Sequence, residues 1–153
     1  MERSRLPRVS EMAEPEADLQ TLQFYLNEYS QQAEIFSRQL EMIEQKRIES
    51  LAAIETMKAL AADHDSPALL SLGGGTMVRV KVGDPGKILV NIGSDVIIQR
   101  TNGEAITFLQ EKITEMEAME KKVAATIDQL RGQMAEIARQ VEAAYVQQER
   151  SRG

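Results

Sequence analysis

The sequence of 153 residues has no cysteine and no tryptophan, and it has one histidine. Without cysteine the chain cannot form disulfide bonds, thiolate metal sites or a thiol nucleophile, and this composition suits a reducing compartment. Aromatic residues make up only 4 % of the sequence, whereas a compact core in a chain of this length normally uses more of them. These absences argue against a globular enzyme with an enclosed catalytic pocket.

Long apolar runs and clusters of positive charge are also missing. No stretch approaches the roughly 20 consecutive apolar residues that span a bilayer, and the first residues lack the apolar run of a signal peptide. The formal net charge is −6, and no segment concentrates the Lys and Arg residues that displace counterions from phosphates. We therefore expect a cytoplasmic protein that binds neither membranes nor nucleic acid.

Two long stretches, residues 16–63 and 102–148, carry apolar residues at the first and fourth positions of a seven-residue repeat. A repeat sustained over this length is typical of coiled-coil helices and exceeds the pattern of an ordinary amphipathic helix. In the first stretch these seam positions hold Leu19, Leu22, Leu26, Tyr29, Ala33, Phe36, Leu40, Ile43, Arg47, Ser50, Ile54, Met57 and Ala61. In the second they hold Ile106, Leu109, Ile113, Met116, Glu120, Val123, Ile127, Leu130, Met134, Ile137, Val141, Ala144 and Gln148.

The segment between the helices, residues 68–101, alternates β-branched with polar residues and is interrupted by glycine-rich turns. This pattern predicts strands at 69–72, 76–82, 87–92 and 96–101, which form two successive hairpins. Thr101 and Glu104 form a predicted capping box at the start of the second helix.

The sequence thus predicts a mostly α member of the α+β class, folded as a single domain. A long antiparallel two-helix coiled-coil hairpin has two β-hairpins inserted between its helices. We expect residues 1–15 to be a flexible extension, with a helix start near Glu14-Pro15-Glu16, and residues 149–153 to be a tail.

Two charged residues occupy seam positions, one in each helix. If Ala61 faces Ile106, the same register places Arg47 opposite Glu120. Because a charge in the seam loses hydration unless it is paired, the two residues are a candidate register pair. Coincidence is the alternative, since long side chains can extend out of a seam into water.

Apolar residues remain that neither the seam nor a small sheet can cover. The strands carry more apolar rows than one helix end can bury, so we expect the chain to oligomerise through residues 68–101. Phe24, Tyr25, Tyr145 and Val146 lie off the seam near the helix ends farthest from the strands. They form either an adaptable surface for apolar segments of a partner or ordinary scattered surface hydrophobes. Three further apolar residues precede the first helix: Leu6, Val9 and Met12.

No catalytic residue, cofactor or metal site is predicted. His64 lies between Asp63 and Asp65 in a helix-terminating loop, where a lone histidine is most often exposed and without a ligand. Gly73-Gly74-Gly75 lacks the strand and helix that a phosphate-binding loop requires, and Gly86-Lys87 does not fit the Walker pattern. The chain is therefore not expected to be an enzyme.

The order of these segments closely resembles the α subunit of the prefoldin family of co-chaperones. The resemblance covers about residues 16–148 and is most specific between Leu69 and Thr101. Leu72-Gly73-Gly74-Gly75 and Ile92-Gly93-x-x-Val96 match the family's Leu-Gly-x-Gly and Gly-x-Gly-Val patterns, and two hairpins mark the α class. This sequence has Ser94-Asp95 where the family usually has Ala-Gly.

This resemblance implies an ATP-independent holdase subunit. It would join four β-type subunits in an α2β4 hexamer, whose strands form a β-barrel platform. The helix tips would capture unfolded clients and transfer them to a group II chaperonin. The implied assembly residues are Val78, Val80, Ile88, Val90, Val96 and Ile98. The implied client-contacting residues are Leu19, Leu22, Phe24, Tyr25, Val141, Tyr145 and Val146.

The alternative is a structural or adaptor coiled-coil protein that forms a homo-oligomeric scaffold. An oligomer made of this chain alone, without holdase activity, would favour that hypothesis.

Overall fold

The computed structural model describes residues 19–152. The elements follow one another as α1 (Leu19–Ala62), β1 (Ala68–Gly73), β2 (Thr76–Val80), β3 (Lys87–Asn91), β4 (Ile97–Thr101) and α2 (Asn102–Ser151). Two long helices with two β-hairpins between them confirm the predicted fold class. The expected extension and the helix start near residue 16 lie outside the described residues.

The second helix ends three residues later than predicted, at Ser151 instead of residue 148. The sequence has no proline or glycine between residues 133 and 152 that would stop it. Ser151 Oγ donates a hydrogen bond to the Gln148 carbonyl oxygen at 3.0 Å, so a side chain satisfies one of the last carbonyls.

The first helix ends where the sequence turns polar. Asp63 N donates the last helical bond to the Ala59 carbonyl oxygen at 3.1 Å, and Pro67 follows within a few residues. Ser66 Oγ donates to Asp63 Oδ2 at 2.6 Å. This hydrogen bond from Ser66 is the main reason that the pKa of Asp63 lies below its ordinary value.

Each hairpin is a separate two-stranded antiparallel sheet, one formed by β1 and β2 and the other by β3 and β4. Gly73 pairs with Thr76, so Gly74 and Gly75 alone form the first turn. Their φ angles of 59° and 79° lie in the left-handed region, which glycine adopts without a steric penalty and which two-residue hairpin turns require.

The capping box predicted at the start of α2 is present. Glu104 N donates to Thr101 Oγ1 at 3.2 Å, and Thr101 N donates to Glu104 Oε2 at 3.3 Å. The two side chains therefore satisfy each other's backbone N–H groups at the junction of β4 and α2.

The predicted seam is largely confirmed by burial. Every seam position from Leu19 to Met57 and from Ile106 to Ala144 is buried or half-buried. Ala61 and Gln148, at the ends of the two repeats, are exposed. The described residues divide into two compact units, one of residues 43–118 and the other of residues 19–42 with 119–152.

In the unit of residues 43–118, β3 and β4 pack one face against both helices. Ile54 and Ile113, which the predicted register places opposite each other, belong to the same buried cluster as Val90. Ile88 and Ile98 pack against this cluster as well. Burying each such side chain contributes about 1.5–3 kcal/mol, so the β3–β4 hairpin is anchored by its inner face.

In the other unit, the core consists of helix side chains alone. Its buried residues are Leu22, Tyr29, Leu130 and Ile137. Leu26, Ala33, Met134 and Val141 pack around them. The predicted register places Leu26 opposite Val141 and Ala33 opposite Met134, so their presence around one core agrees with an antiparallel arrangement of the two helices in this unit.

Candidate interaction surfaces

The predicted client-contacting residues fall into two groups in the structure. Leu22 is buried in the helix core, and Leu19, Tyr25 and Val141 are half-buried. The remaining three side chains are exposed: Phe24 by 57 %, Tyr145 by 48 % and Val146 by 44 %. The set implied by the resemblance thus contains both seam residues, which stabilise the helix pair, and exposed side chains; the client-contacting role of all seven residues stays a prediction.

Neighbouring side chains hold two of the exposed residues in place. The ring of Phe24 meets that of Tyr25 edge to face, with centroids 5.7 Å apart and an interplanar angle of 70°. Tyr25 itself packs against the buried cluster of this unit. Gln23 Nε2 donates to Tyr145 Oη at 3.3 Å across the two helices. Phe24 and Tyr145 therefore present apolar surface from supported positions.

The β3–β4 hairpin has one covered face and one open face. Because paired residues in an antiparallel ladder share a face, the partners Val90 and Ile98 both point to the helices. The open face carries Leu89, exposed by 72 %, and Ile97, exposed by 61 %. Exposed side chains of this size on one small sheet are typical of a surface that another chain covers.

The β1–β2 hairpin is open on both faces. The paired residues Leu70 and Val78 are exposed by 51 % and 41 %. On the opposite face, Leu69 and Met77 are exposed by 65 % and 63 %. A two-stranded ribbon gains little stability by itself and leaves its edge backbone groups unpaired. This hairpin therefore has less support from its own chain than β3–β4 has.

The predicted assembly residues are distributed over both kinds of face. Val78 and Val96 are exposed, and Val80 is half-buried. Ile88, Val90 and Ile98 contribute to the core of their own chain. Strand alternation identified the two faces of each hairpin but could not indicate which face the helices cover. The assembly role of the six residues stays a prediction.

Other exposed apolar side chains lie on the helices away from the seam. On α1 they are Ile35, Met42, Ile48 and Leu51, and on α2 there is Met119. None of these residues belongs to a surface predicted from the sequence. Their exposure is nevertheless predictable from the sequence, since each of them is a large apolar residue outside the first and fourth repeat positions.

Arg47 and Glu120 are both half-buried, as expected for seam positions. The register pair that they were predicted to form stays a prediction.

No site for a metal ion and no membrane span is found in the described part of the chain. Within residues 19–152, His, Asp and Glu side chains do not gather into a group that could hold a metal ion. Neither helix has a stretch both long and apolar enough to cross a bilayer.

Comparison with known proteins gives a consistent result. The sequence profile described as "Prefoldin subunit" matches residues 29–147. Prefoldin subunit alpha of Methanoculleus marisnigri is 54 % identical over 84 % of this chain and 86 % of that protein. Prefoldin subunit alpha of Methanoregula boonei is 50 % identical over 85 % of each chain.

Two solved structures share the fold. Filamentous PFD from Methanocaldococcus jannaschii superposes with a TM-score of 0.66 over 77 % of this chain and 98 % of that one, at 16 % identity. The prefoldin beta subunit from Thermococcus strain KS-1 superposes with a TM-score of 0.57 over 82 % and 90 %, at 18 % identity.

Proposed function

The chain belongs to the prefoldin family as an alpha-type subunit, and we propose that it acts as an ATP-independent holdase within a hetero-oligomer. In this proposal two copies of the chain join four β-type subunits. Exposed side chains near the free helix ends capture unfolded proteins, and the complex transfers them to a group II chaperonin in the cytoplasm.

The open faces of the hairpins support the assembly part of the proposal. Leu89 and Ile97 on one hairpin, and Leu70 and Val78 on the other, expose apolar area that a folded soluble chain normally covers. Strands from β-type subunits would cover these faces and pair the free edges. Since the two hairpins form separate sheets, one alpha-type chain offers two surfaces for neighbouring subunits.

The observation that carries the holdase proposal is the exposure of Phe24, at 57 %, beside a buried helix core. Tyr145 and Val146 add exposed apolar area on α2. A contact of such modest area contributes on the order of a few kcal/mol at most. Several weak contacts from the subunits of one complex raise the effective concentration and hold a client more tightly than one does.

Such a surface also suits release without nucleotide hydrolysis. Apolar contacts of this kind have no fixed geometry and are therefore tolerant of the client sequence. A chaperonin that competes for the same side chains, or for the client itself, can remove the client because each contact is individually weak.

Charging the client surface tests this proposal. The variant Phe24→Glu with Val146→Lys, assembled with its partner subunits, should lose most of its ability to suppress aggregation of a denatured model protein such as citrate synthase. The matched control is Ile48→Glu with Met119→Lys, because these side chains are exposed by 53 % and 48 % but lie away from the helix ends. Native mass spectrometry confirms that both variants form the full complex. Equal suppression by the two complexes would contradict the assignment of the client surface.

The scaffold hypothesis has a separate test. Native mass spectrometry of the chain purified from its own cells should show two copies with four copies of a smaller coiled-coil chain. An assembly of this chain alone, without aggregation suppression, would support the scaffold instead.

A further inference from the structure

The four strands carry charge of one sign only. Their charged residues are Arg79 in β2, Lys87 in β3 and Arg100 in β4, and no strand contains Asp or Glu. In each helix, by contrast, acidic residues outnumber basic ones. The strands therefore differ in charge from the helices that flank them.

Only one of the three strand cations has an acidic partner in its own chain. Lys87 Nζ lies 3.6 Å from Asp84 Oδ2. Within residues 19–152, neither Arg79 nor Arg100 forms an ion pair with a carboxylate. Both arginines are exposed, so their guanidinium groups can be reached by another chain.

Arg79 is surrounded by apolar side chains on its face of the β1–β2 hairpin. It pairs with Leu69 in the ladder, and Met77 lies two residues earlier on the same face of β2. Leu69 and Met77 are exposed by 65 % and 63 %. A chain that covers these two side chains also removes water from the guanidinium group, which is costly unless a charged acceptor replaces that water.

The free edge of β2 is the place where such an acceptor can approach. In the described part of the chain β2 pairs with β1 alone, in a two-stranded sheet. Its other edge can accept the backbone hydrogen bonds of an added strand. Side chains directly opposite each other on neighbouring strands lie about 5 Å apart at Cβ, and opposite charges there attract. An acidic residue on the added strand would therefore meet Arg79.

A second copy of this chain does not offer such a strand. Its strands contain no acidic residue, and the acidic residues of the segment 68–101 are Asp84 and Asp95, which lie in loops between strands. Edge pairing with β3 or β4 of another copy would instead bring Lys87 or Arg100 toward this hairpin. Like charges opposite each other are unfavourable, so the charge of the strands favours a different chain.

We propose that the free edge of β2 pairs with a strand of a β-type partner subunit, and that a Glu or Asp side chain on that strand pairs with Arg79. This inference rests on the proposed function, because it names the chemistry of the partner that the hetero-oligomer requires. The same charge pattern disfavours assembly of the chain with itself through this edge.

Carbodiimide cross-linking tests the contact directly, because the reagent joins an amine to a carboxylate that touches it. Arg79→Lys keeps the positive charge and supplies the amine. The matched control is Arg131→Lys, since Arg131 is also exposed but lies on α2, away from the strands. Both variants are made in the full-length chain and assembled with the partner subunits that copurify with the parent. Peptide mass spectrometry then locates the links between chains.

We expect links from the Arg79→Lys position to Asp or Glu of a β-type subunit, at least five-fold more abundant than interchain links from the Arg131→Lys position. Equal yields from the two positions would overturn the proposal. A link from the Arg79→Lys position to a second copy of this chain would also overturn it, since the copy would then supply the carboxylate.

Competition for assembly gives an independent measurement. Parent chain and Arg79→Glu chain are mixed in equal amounts with limiting partner subunits, and native mass spectrometry measures the share of each in the complex. The variant should be incorporated at least five-fold less than the parent at low salt, and the difference should narrow at high salt because exposed charges are screened. Arg131→Glu should be incorporated as well as the parent. Equal incorporation of Arg79→Glu, or a deficit that salt leaves unchanged, would contradict the charge pairing.

The two proposals fail in different ways. If the parent chain forms the hetero-oligomer but neither measurement depends on Arg79, only the inference about the β2 edge is wrong. If the parent chain assembles with no β-type subunit, the proposed function and this inference are both wrong. Aggregation suppression enters neither measurement.

Discussion

The side-chain amide nitrogen of Asn102 donates a hydrogen bond to the main-chain carbonyl oxygen of Met57 at 3.0 Å. The same nitrogen donates to the Pro85 carbonyl oxygen at 3.1 Å, and Asn102 N donates to the Gly86 carbonyl oxygen at 3.1 Å. The first residue of α2 therefore joins α1 to the loop between the hairpins. Both side-chain partners can only accept hydrogen bonds, so this position requires a donor.

Replacing Asn102 should test the importance of that donor. Asn102→Ala removes two partly buried hydrogen bonds and should lower the free energy of unfolding by about 1–3 kcal/mol. Asn102→Asp keeps the shape but directs carboxylate oxygens at two carbonyls, so it should cost more than Ala. Thermal unfolding of the assembled complexes, compared at equal concentration, measures both. An aspartate variant as stable as the parent would show that these bonds contribute little.

Loss of the capping box should destabilise the start of α2. Thr101→Ala removes the hydroxyl that accepts from Glu104 N and should cost about 1 kcal/mol. Thr101→Ser retains the hydroxyl and is the matched control. Hydrogen exchange of the amides in the first turn of α2 should accelerate in the Ala variant alone. Similar exchange in both variants would indicate that strand pairing, and not the cap, protects this turn.

The core of the helix pair should be sensitive at Ile137, whose side chain is fully buried. Ile137→Ala leaves a cavity and should lower the free energy of unfolding by about 2–5 kcal/mol. Val146→Ala, at an exposed position on the same helix, should change it by less than about 0.5 kcal/mol. Denaturant unfolding followed by circular dichroism gives both values. A small effect at Ile137 would mean that this part of the core repacks readily.

Charges on the open face of β3–β4 should prevent assembly without unfolding the chain. Leu89→Lys with Ile97→Glu places charge on side chains that are exposed by 72 % and 61 %. In the proposed complex this face would be shielded from water, and burying the introduced charges there would be costly. The double variant should therefore appear as smaller species in native mass spectrometry. The control Ile48→Lys with Met42→Glu has a similar exposure and should form the full complex. Full assembly of the strand variant would show that partners do not cover this face.

The β3–β4 turn offers a stabilising substitution. Val96 N donates to the Gly93 carbonyl oxygen at 2.9 Å, and the two residues between them, Ser94 and Asp95, have φ angles of 49° and 60°. Turns with positive φ at both central positions favour Asn-Gly. Ser94→Asn with Asp95→Gly should raise the free energy of unfolding by about 1 kcal/mol. The single change Asp95→Ala retains the strained backbone and should give no gain.

The features that follow from local sequence were predicted well. Seam burial depends on the seven-residue spacing alone, and Tyr29 and Ile137 are buried as that spacing requires. The capping box depends on two residues three positions apart, Thr101 and Glu104, and it also forms.

The features that depend on distant parts of the chain were not predicted. Asn102 contacts Met57 and Pro85 only after the helices and hairpins have come together. The sequence likewise does not indicate which face of β3–β4 is covered, because Val90 and Leu89 are both strongly apolar. Only Val90 is buried against the helices. Leu22, which the resemblance implied as a client contact, is buried in the core of its own chain; its client role stays a prediction.

The open faces of the two hairpins also have a consequence for a copy of the chain that lacks partners. A copy made in excess of its partners presents Leu70, Val78, Leu89 and Ile97 to the surrounding solution. Exposed apolar strands are also a feature of incompletely folded proteins, which quality-control proteases and chaperones recognise. If partner subunits cover these faces as proposed, a copy without partners would be open to capture or degradation, and production of the subunits in matched amounts would avoid that loss.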